Sequence, residues 1–422
     1  MAPDLTPDME ELNKRRVERQ LRRRQMVAQK RQKRVLLMIG ISLLLVAIGA
    51  GVFFLLRMNG AEAPEEAEIV THSDDVISEK DTVIHLVAAG DVNITDAVVA
   101  SGGEEYDYTN TFLDIAPLLA EGDLTVLNFE GNLCGAPYGS TTRSAPQELA
   151  LALSRCGVDM VQLANSYSIN QGVSGLQATI SSIKAAGMEP LGVYADERAY
   201  KTGKGYTIQE VEGIKIAFVA FTKGMDGMTL PKGSEHCVNV LYSDYDSTYQ
   251  ELDTDTINKV LDAVAAESPD LTVAMLHWGS EFNDTVSESQ EELVTLLQER
   301  GVNAIIGTHP HYVQQMTYDP ETGNFVAYSL GDLISDGTRA GTEYSVILNL
   351  EITRSGRKTK ITGYTYTPIF TVTERGAPLR SVRVAEAMSA YDSNYVLSVK
   401  ETTYNDMSYA MTRIEERIRG EG

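Results

Sequence analysis

Residues 304–311 read AIIGTHPH, a short apolar run followed by two histidines. The apolar run predicts a buried strand, and the histidines follow at the point where that strand should end. Residues 271–279, LTVAMLHWG, repeat this pattern with His277. Side chains just past strand ends point into the crevice where α/β sheets bind ligands and metals. Because three of the chain's six histidines lie in these two segments, a shared site is favoured over three separate core histidines.

Apolar strands alternate with amphipathic helices on both sides of these segments. Strands are predicted at residues 83–89, 124–127, 160–163, 189–192, 213–221, 271–276, 304–306 and 325–330, and helices at 147–155, 174–186, 256–266 and 287–300. Such alternation predicts a largely parallel sheet with helices on both faces. An antiparallel pair at 344–352 and 358–366 then indicates a second sheet, before helices at about 381–390 and 404–419. We therefore expect an α/β fold, a layered sandwich of mixed sheets flanked by helices.

The N-terminal region begins with a basic tail and an apolar segment. Residues 1–34 hold eleven Lys and Arg against five Asp and Glu, a net charge of +6, so the rest of the chain must carry −29 to reach the total of −23. Residues 35–56 contain no charged side chain, and twenty-two residues at about 1.5 Å each can cross a hydrocarbon core of about 30 Å. A cleaved signal peptide is the alternative, but the apolar region is too long and no clear Ala-x-Ala site follows. We therefore expect a single uncleaved transmembrane anchor with a cytoplasmic N-terminus, because basic flanks stay inside.

The remaining chain divides into a linker and one large domain. Residues 57–80 are acidic and rich in Ala, Glu, Ser and Asp, which is typical of a linker. Residues 81–422 show no further break in composition and no internal repeat, so we expect one extracellular domain. Beside a membrane span, the basic tail is explained by topology and by anionic lipid rather than by nucleic acid. The negative charge of the domain argues against direct, metal-free binding of a polyanion.

The three cysteines, Cys134, Cys156 and Cys237, would all lie outside the membrane. They permit one disulfide and one free thiol. Cys134 and Cys156 flank one loop-and-helix unit and are the favoured pair, whereas three reduced and buried thiols are the alternative. No Cys-x-x-Cys or Cys/His zinc spacing occurs.

Polar residues follow five of the predicted strands. They are Asp91, Asn128 with Glu130, Asn165, His277, and His309 with His311. Each alone would be ordinary turn chemistry. Together their oxygens and imidazoles suit a divalent metal such as Mn, Zn or Fe. The set could hold two metals with Glu130 as the bridge, and paired metals can bind both the attacking and the leaving oxygen of a phosphoester.

Six short motifs in order resemble the CapA family of poly-γ-glutamate capsule synthesis proteins. They are GDV at 90–92, NFE at 128–130, LAN at 163–165, HWG at 277–279, GTHPH at 307–311 and YSLG at 328–331, within residues 82–373. That family is related in fold to the calcineurin-like metallophosphoesterases and commonly has an N-terminal anchor and an external domain. The resemblance implies a role in making, exporting or attaching poly-γ-glutamate or a related anionic surface polymer. Two kinds of partner are also implied by the resemblance: this anionic polymer, and membrane-bound polymer synthesis proteins.

The sequence departs from the family pattern around the usual motif histidine. The family reads Leu-Ala-Asn-Asn-His with an aspartate three residues later, whereas this chain has Ser166, Tyr167 and Asn170. In the related phosphoesterases that histidine protonates the leaving group or orients the substrate. A tyrosine, with an ordinary pKa of about 10, is a poorer acid at neutral pH. Asn93 stands where phosphoesterases often have a second histidine ligand, and Asp332 replaces a family asparagine and adds a carboxylate.

Three interpretations of the site remain open at this stage. The first is a metal-dependent hydrolase or transferase acting on a cell-surface polymer intermediate. Its metal ligands would be Asp91, Glu130, Asn165, His277, His309 and His311, with Asn128, Asp332 and Asn93 as additional candidates and Tyr167, His309 and His311 as candidate catalytic residues. The second, which Tyr167 favours, is a non-catalytic binding or assembly component that keeps the fold and a metal. The third is a histidine-rich core without metal.

Overall fold

Apolar segments form two mixed β-sheets in the computed structural model, which describes residues 81–393 and 399–421. In chain order the strands are β1 (Thr82–Asn93), β2 (Leu124–Glu130), β3 (Met160–Gln162), β4 (Glu189–Leu191), β5 (Tyr206–Val211), β6 (Ile214–Thr222), β7 (Leu271–His277), β8 (Ala304–Thr308), β9 (Met316–Tyr318), β10 (Phe325–Ala327), β11 (Asp332–Ile334), β12 (Tyr344–Ser355), β13 (Lys358–Val372) and β14 (Arg380–Arg383). The tail, apolar segment and linker predicted for residues 1–80 lie outside the described residues. Within the part of the chain that is described, no helix is both long and apolar enough to cross a membrane.

The first sheet is built around β1, which pairs on both sides. On one side β2, β3 and β4 follow it in parallel. On the other side β12 pairs with it in antiparallel fashion and leads to β13 and β14. The short strand β11 pairs in parallel with the end of β1, with Asp91 opposite Asp332. This last pairing brings two carboxylate residues together at the end of the sheet.

The second sheet has the order β5-β6-β7-β8-β10-β9. Its four central strands are parallel, whereas β5 and β9 pair in antiparallel fashion at the edges. The register places His277 at the end of β7 beside Thr308 at the end of β8. Both histidine segments therefore end at one edge of this sheet.

Helices cover the outer faces of the two sheets, except for the last two, whose buried side chains join the cluster between the sheets. They are α1 (Asp96–Ala100), α2 (Thr109–Phe112), α3 (Ala116–Leu119), α4 (Gln147–Cys156), α5 (Gly172–Ala185), α6 (Glu197–Gly203), α7 (Thr254–Ala266), α8 (Glu288–Glu299), α9 (Val384–Asp392) and α10 (Glu401–Ile418). Because strand side chains alternate, Phe218 of β6 packs between the sheets while Val219 packs against α7 and α8. In β1, Leu86 packs between the sheets and Val87 packs against the helices that follow. The layers are therefore helix, sheet, sheet and helix.

The predicted sandwich of mixed sheets is confirmed, but the predicted source of its second sheet was wrong. The antiparallel pair β12 and β13 extends the first sheet through β1, and the second sheet is instead formed by β5 to β10. The free edge of β1 needs partners for its backbone N–H and C=O groups, and β12 supplies them from more than 250 residues away. The helix predicted from residue 381 begins at Val384, because Arg380–Arg383 pairs with β13 instead.

The structure favours reduced cysteines, but the alternative of three buried thiols holds only in part because Cys134 is half-buried. Cys134 is a free thiol, and its Sγ lies 3.6 Å from the hydroxyl of Ser144. The favoured disulfide between Cys134 and Cys156 is therefore not formed. Cys237 is buried and also carries a free thiol.

Candidate metal centre

The ends of parallel strands from both sheets meet in one buried cluster. Asp91 of β1 accepts a hydrogen bond from the backbone N–H of His309, the residue after β8, at 3.1 Å. Glu130 at the end of β2 lies 3.2 Å from Nε2 of His277 at the end of β7. All four residues are buried. Four of the five predicted strand ends therefore converge, and Asn165 from the fifth lies beside them.

Two glycines allow the backbone to approach closely behind this cluster. A Cβ at Gly90 would lie 1.7 Å from the carbonyl oxygen of Gly331, and a Cβ at Gly307 would lie 1.9 Å from that of Tyr328. The backbone N–H of Asp91 donates to Gly331 O at 3.0 Å. Only glycine fits at such contacts. They fix where the β1 and β8 ends sit against the segment that carries Asp332.

One group of side chains suited to a metal consists of Asp91, His311 and Asp332, each offering a ligand atom within 4.8 Å of the others. Nδ1 of His311 lies 2.7 Å from Oδ1 of Asp332 and 3.5 Å from Oδ2 of Asp91. The second oxygen of Asp332 is buried without a hydrogen-bond partner. The additional candidate Asp332 is therefore brought into the site by β11.

A second group consists of Glu130, His309 and His311, again within 4.8 Å. Nε2 of His311 lies 3.6 Å from Oε2 of Glu130. Both carboxylate oxygens of Glu130 and Nε2 of His309 are buried and make no hydrogen bond. Buried polar atoms left without partners are costly. A divalent cation, which prefers carboxylate oxygen and imidazole nitrogen, would satisfy all three atoms, so the residues fit a metal.

His277 lies beside these groups, and both of its ring nitrogens have protein partners. Nε2 is 3.0 Å from the hydroxyl of Ser166, and Nδ1 is 3.1 Å from that of Thr308. Ser166 also lies 3.4 Å from Nδ1 of His309. The serine that replaces the family's second asparagine therefore connects the two histidines.

The two predicted amide ligands, Asn128 and Asn165, form a chain of hydrogen bonds behind the carboxylates. Asn128 donates to Oδ1 of Asp91 at 2.7 Å, and its own oxygen accepts from Asn165 at 3.1 Å. The oxygen of Asn165 in turn accepts from the backbone N–H of Tyr167 at 3.0 Å. In this arrangement the amides orient a carboxylate and a loop.

The three carboxylates sit in surroundings that disfavour their charge. Burial raises the pKa of Asp91 to about 7, and the nearby charge of Glu130 adds to the effect. Burial also raises the pKa values of Glu130 and Asp332. Ionised carboxylates lose hydration here and repel each other. A bound cation would offset both costs.

The histidines of the site differ in charge. Burial lowers the pKa of His277 to about 3 and holds the pKa of His309 well below its usual value. Burial also disfavours the charged form of His311, but Asp332 and Glu130 outweigh it and raise its pKa well above the usual value. Neutral imidazole is the form that binds metals. His309 is therefore ready to bind, whereas His311 would first release a proton.

The histidine pair is held on an unusual backbone. His309 has φ of 95° and His311 has φ of 58°, both in the left-handed region that side chains rarely adopt. The carbonyl of Pro310 between them accepts from the N–H of Phe282 at 2.9 Å. The Phe282 ring stacks on the His311 ring with centroids 5.3 Å apart. The guanidinium carbon of the exposed Arg339 lies 3.8 Å from the centroid of the Phe282 ring. Backbone strain of this kind is kept where surrounding structure fixes it, often at functional sites.

Tyr167 stands at the family's histidine position and Asn93 where phosphoesterases often have a histidine, and both contact a third residue, Arg143. Nη2 of Arg143 donates to the Tyr167 hydroxyl at 2.8 Å, and Nη1 donates to Oδ1 of Asn93 at 2.9 Å. Burial, together with the charge of Glu130, raises the pKa of Tyr167 to about 12. Tyr167 therefore stays protonated near neutral pH. Sequence reasoning missed Arg143, since a single arginine in a polar loop (residues 139–144, GSTTRS) carries no motif.

A profile of the family described as bacterial capsule synthesis protein PGA_cap matches residues 85–337 of this chain. The chain is 26% identical over 258 residues to "Capsule biosynthesis protein CapA" of Bacillus anthracis, covering 60% of each chain. It is 23% identical over 301 residues to "PGA biosynthesis protein CapA" of Bacillus subtilis (strain 168), covering 69% of this chain and 72% of that protein. The match thus spans three fifths of the length of the Bacillus anthracis protein. A solved structure of the calcineurin-like phosphoesterase YfkN from Bacillus subtilis is similar with 15% identity and a TM-score of 0.44, over 81% of this chain and 100% of that one.

Proposed function

This chain belongs to the bacterial capsule synthesis protein family PGA_cap, and we propose that it takes part in synthesis, export or attachment of poly-γ-glutamate or a related anionic surface polymer. The names of its two CapA relatives support this role. In this proposal residues 35–56 anchor the chain in the cell membrane, with the domain outside and beside membrane-bound polymer synthesis proteins. The uncharged run and its basic flank support that placement.

The domain would hold one or two divalent metals at the candidate metal centre, in a cleft at these strand ends. The observation that carries this proposal is the buried carboxylate of Glu130, both of whose oxygens lack hydrogen-bond partners. Glu130, His309 and His311 would hold one cation, and Asp91 and Asp332 would hold a second beside His311. A bound metal there supplies positive charge that attracts oxygen atoms of an anionic ligand. The donor set suits Mn, Zn or Fe.

A binding or assembly role fits the site better than turnover. A general acid near neutral pH needs a pKa close to that range. Burial holds the pKa of Tyr167 far above the neutral range, and Arg143 already donates to the Tyr167 hydroxyl. We therefore propose that the cleft holds the anionic chain without cleaving it.

An active metal-dependent phosphoesterase is the second candidate. The specific observation in its favour is that carboxylates lie on both sides of the His311 ring, Asp91 and Asp332 near Nδ1 and Glu130 near Nε2, so that two cations could lie side by side. Paired cations suit phosphoester hydrolysis, since they bind both the attacking and the leaving oxygen.

Metal content and phosphodiesterase activity of the purified full-length chain separate these candidates. We expect bound divalent metal by elemental analysis in the wild type, loss of it in His309→Ala, and no loss in the matched control His236→Ala. His236 lies away from the cleft, against Tyr200. Metal with phosphodiesterase activity would favour the second candidate. A wild type that holds no metal even after reconstitution would refute the metal centre.

A further inference from the structure

Arg143 is held rigidly beside the metal centre. Its guanidinium donates to three acceptors on two segments of the chain: Oδ1 of Asn93, the carbonyl oxygen of Ile94, and the hydroxyl of Tyr167, at 2.9, 3.0 and 2.8 Å. Its own backbone N–H and C=O close the loop after β2 through bonds to Gly139 and Asn132. A guanidinium fixed in this way loses little further entropy when it binds a ligand.

This guanidinium has unused capacity for an anion. Among the described residues no carboxylate forms an ion pair with Arg143, although the cluster beside it is rich in carboxylates. A guanidinium has more N–H groups than these three bonds require. The Tyr167 hydroxyl accepts from Arg143, and no acceptor for its own proton is found among the residues that the structure describes. Both side chains are only half buried, so a ligand can reach them.

The pair lies beside the metal centre. Asn93 lies two residues after Asp91. The side chain of Asn165 connects Tyr167 to the residue before Glu130: its oxygen accepts from the Tyr167 N–H, and its nitrogen donates to the carbonyl of Phe129 at 2.7 Å. The charges of Glu281 and Asp226 act on Tyr167, and the cation Lys223 acts on His277 and His309 nearby. Since these charges are mixed, an anion would be selected by directed N–H and O–H donors and not by a general positive field.

We propose that Arg143 and Tyr167 form a carboxylate-binding subsite that holds one carboxylate of the polymer beside the metal centre. The inference rests on the proposed function, which brings an anionic polymer to this cleft. The planar guanidinium matches a carboxylate with parallel N–H bonds, and the Tyr167 hydroxyl adds a donor. A neutral amide at the same place would leave donors unpaired and would be rejected. The tyrosine that replaces the family histidine thus serves recognition.

The test compares two oligomers of equal length on the metal-loaded full-length chain. A short γ-linked glutamate oligomer and its γ-linked glutamine analogue are titrated by calorimetry. We expect Arg143→Lys to weaken binding of the glutamate oligomer by about tenfold or more, because a bidentate contact is lost. Tyr167→Phe, which leaves Arg143 on Asn93 and Ile94, should weaken it by about threefold to tenfold. Metal content should not change.

Matched controls are Arg300→Lys at the end of α8, where Arg300 pairs with Asp262, and Tyr206→Phe on β5, where Tyr206 bonds to Glu267. If Arg143→Lys fails to fold, Tyr167→Phe alone decides the outcome. Wild-type affinity for the glutamate oligomer in Tyr167→Phe and in any folded Arg143→Lys protein would overturn the subsite while leaving the proposed function standing. A metal-loaded wild type that binds neither oligomer would overturn the proposed function as well.

Discussion

Replacing Asp91 with asparagine should destabilise the metal-free protein at about pH 4 and stabilise it at about pH 8, because this carboxylate ionises in a buried site. The pKa of Asp91 is raised from its ordinary value of 3.8 to about 7. The unfolded chain therefore ionises Asp91 at a lower pH than the folded chain does. Between these two pKa values unfolding releases a proton, so the free energy of unfolding falls by about 1.4 kcal/mol for each pH unit.

The change in the sign of the variant's effect between about pH 4 and about pH 8 has a size set by the interval between the two pKa values and by two hydrogen bonds. Across the interval the penalty for ionising Asp91 reaches about 4 kcal/mol, and it stays at that value above neutral pH. Asparagine avoids this penalty. Its single oxygen can accept only one of the bonds that the carboxylate accepts from Asn128 Nδ2 and His309 N, which costs about 1–2 kcal/mol. The variant should thus be less stable by about 1–2 kcal/mol at about pH 4 and more stable by about 2–3 kcal/mol at about pH 8.

Urea denaturation of chelator-treated protein at the two pH values measures this difference. Glu292→Gln, at an exposed carboxylate on α8, is the control and should change stability little at either pH. Adding metal at about a hundredfold excess over its Kd should stabilise the wild type by about 2.7 kcal/mol and the variant by much less. A stability difference between Asp91→Asn and wild type that keeps one sign and size across the pH range would refute this account of the buried carboxylate.

Two further substitutions test the packing behind the site and the role of Tyr167. Gly90→Ala would place a Cβ 1.7 Å from Gly331 O and should lower stability by about 3 kcal/mol or more and abolish metal binding. Gly363→Ala on β13 is the control, since nothing lies within 4 Å of the new Cβ, and it should barely change the Tm. Equal losses of Tm in the two variants would contradict the close-contact argument. If Tyr167 has removed the general acid, metal-loaded Tyr167→His should hydrolyse an activated phosphodiester about tenfold or more faster than wild type. Tyr167→Phe is the control, and an unchanged rate in Tyr167→His would count against a lost acid.

The central strands and their histidines could be predicted because their signals are local. Residues 271–276 and 304–306 are apolar runs of strand length, and the observed strands Leu271–His277 and Ala304–Thr308 differ from them by only one or two residues at one end. Side chains that follow parallel strands in α/β folds collect at one edge. For that reason Asp91, Glu130 and the histidines could be placed in one site without coordinates.

Pairings between distant segments could not be predicted in the same way. The pair β12 and β13 has the pattern of an antiparallel hairpin, and that pattern is the same whether it stands alone or joins β1. The three-residue strand β11 is too short to show any periodicity, yet its parallel pairing with β1 sets Asp332 opposite Asp91. Strand pairing depends on which edges remain unsatisfied after the rest of the chain has folded.

The sequence by itself therefore determined the family, the layered fold class and the residue types of the metal centre. Only the tertiary structure decided how those residues are used. It turned the side-chain oxygens of Asn128 and Asn165 toward other amides, left Glu130 without hydrogen-bond partners, and set Arg143 against Tyr167. Residue identity and periodicity are properties of short segments, whereas the partner of a buried polar atom depends on side chains that the fold brings from elsewhere in the chain.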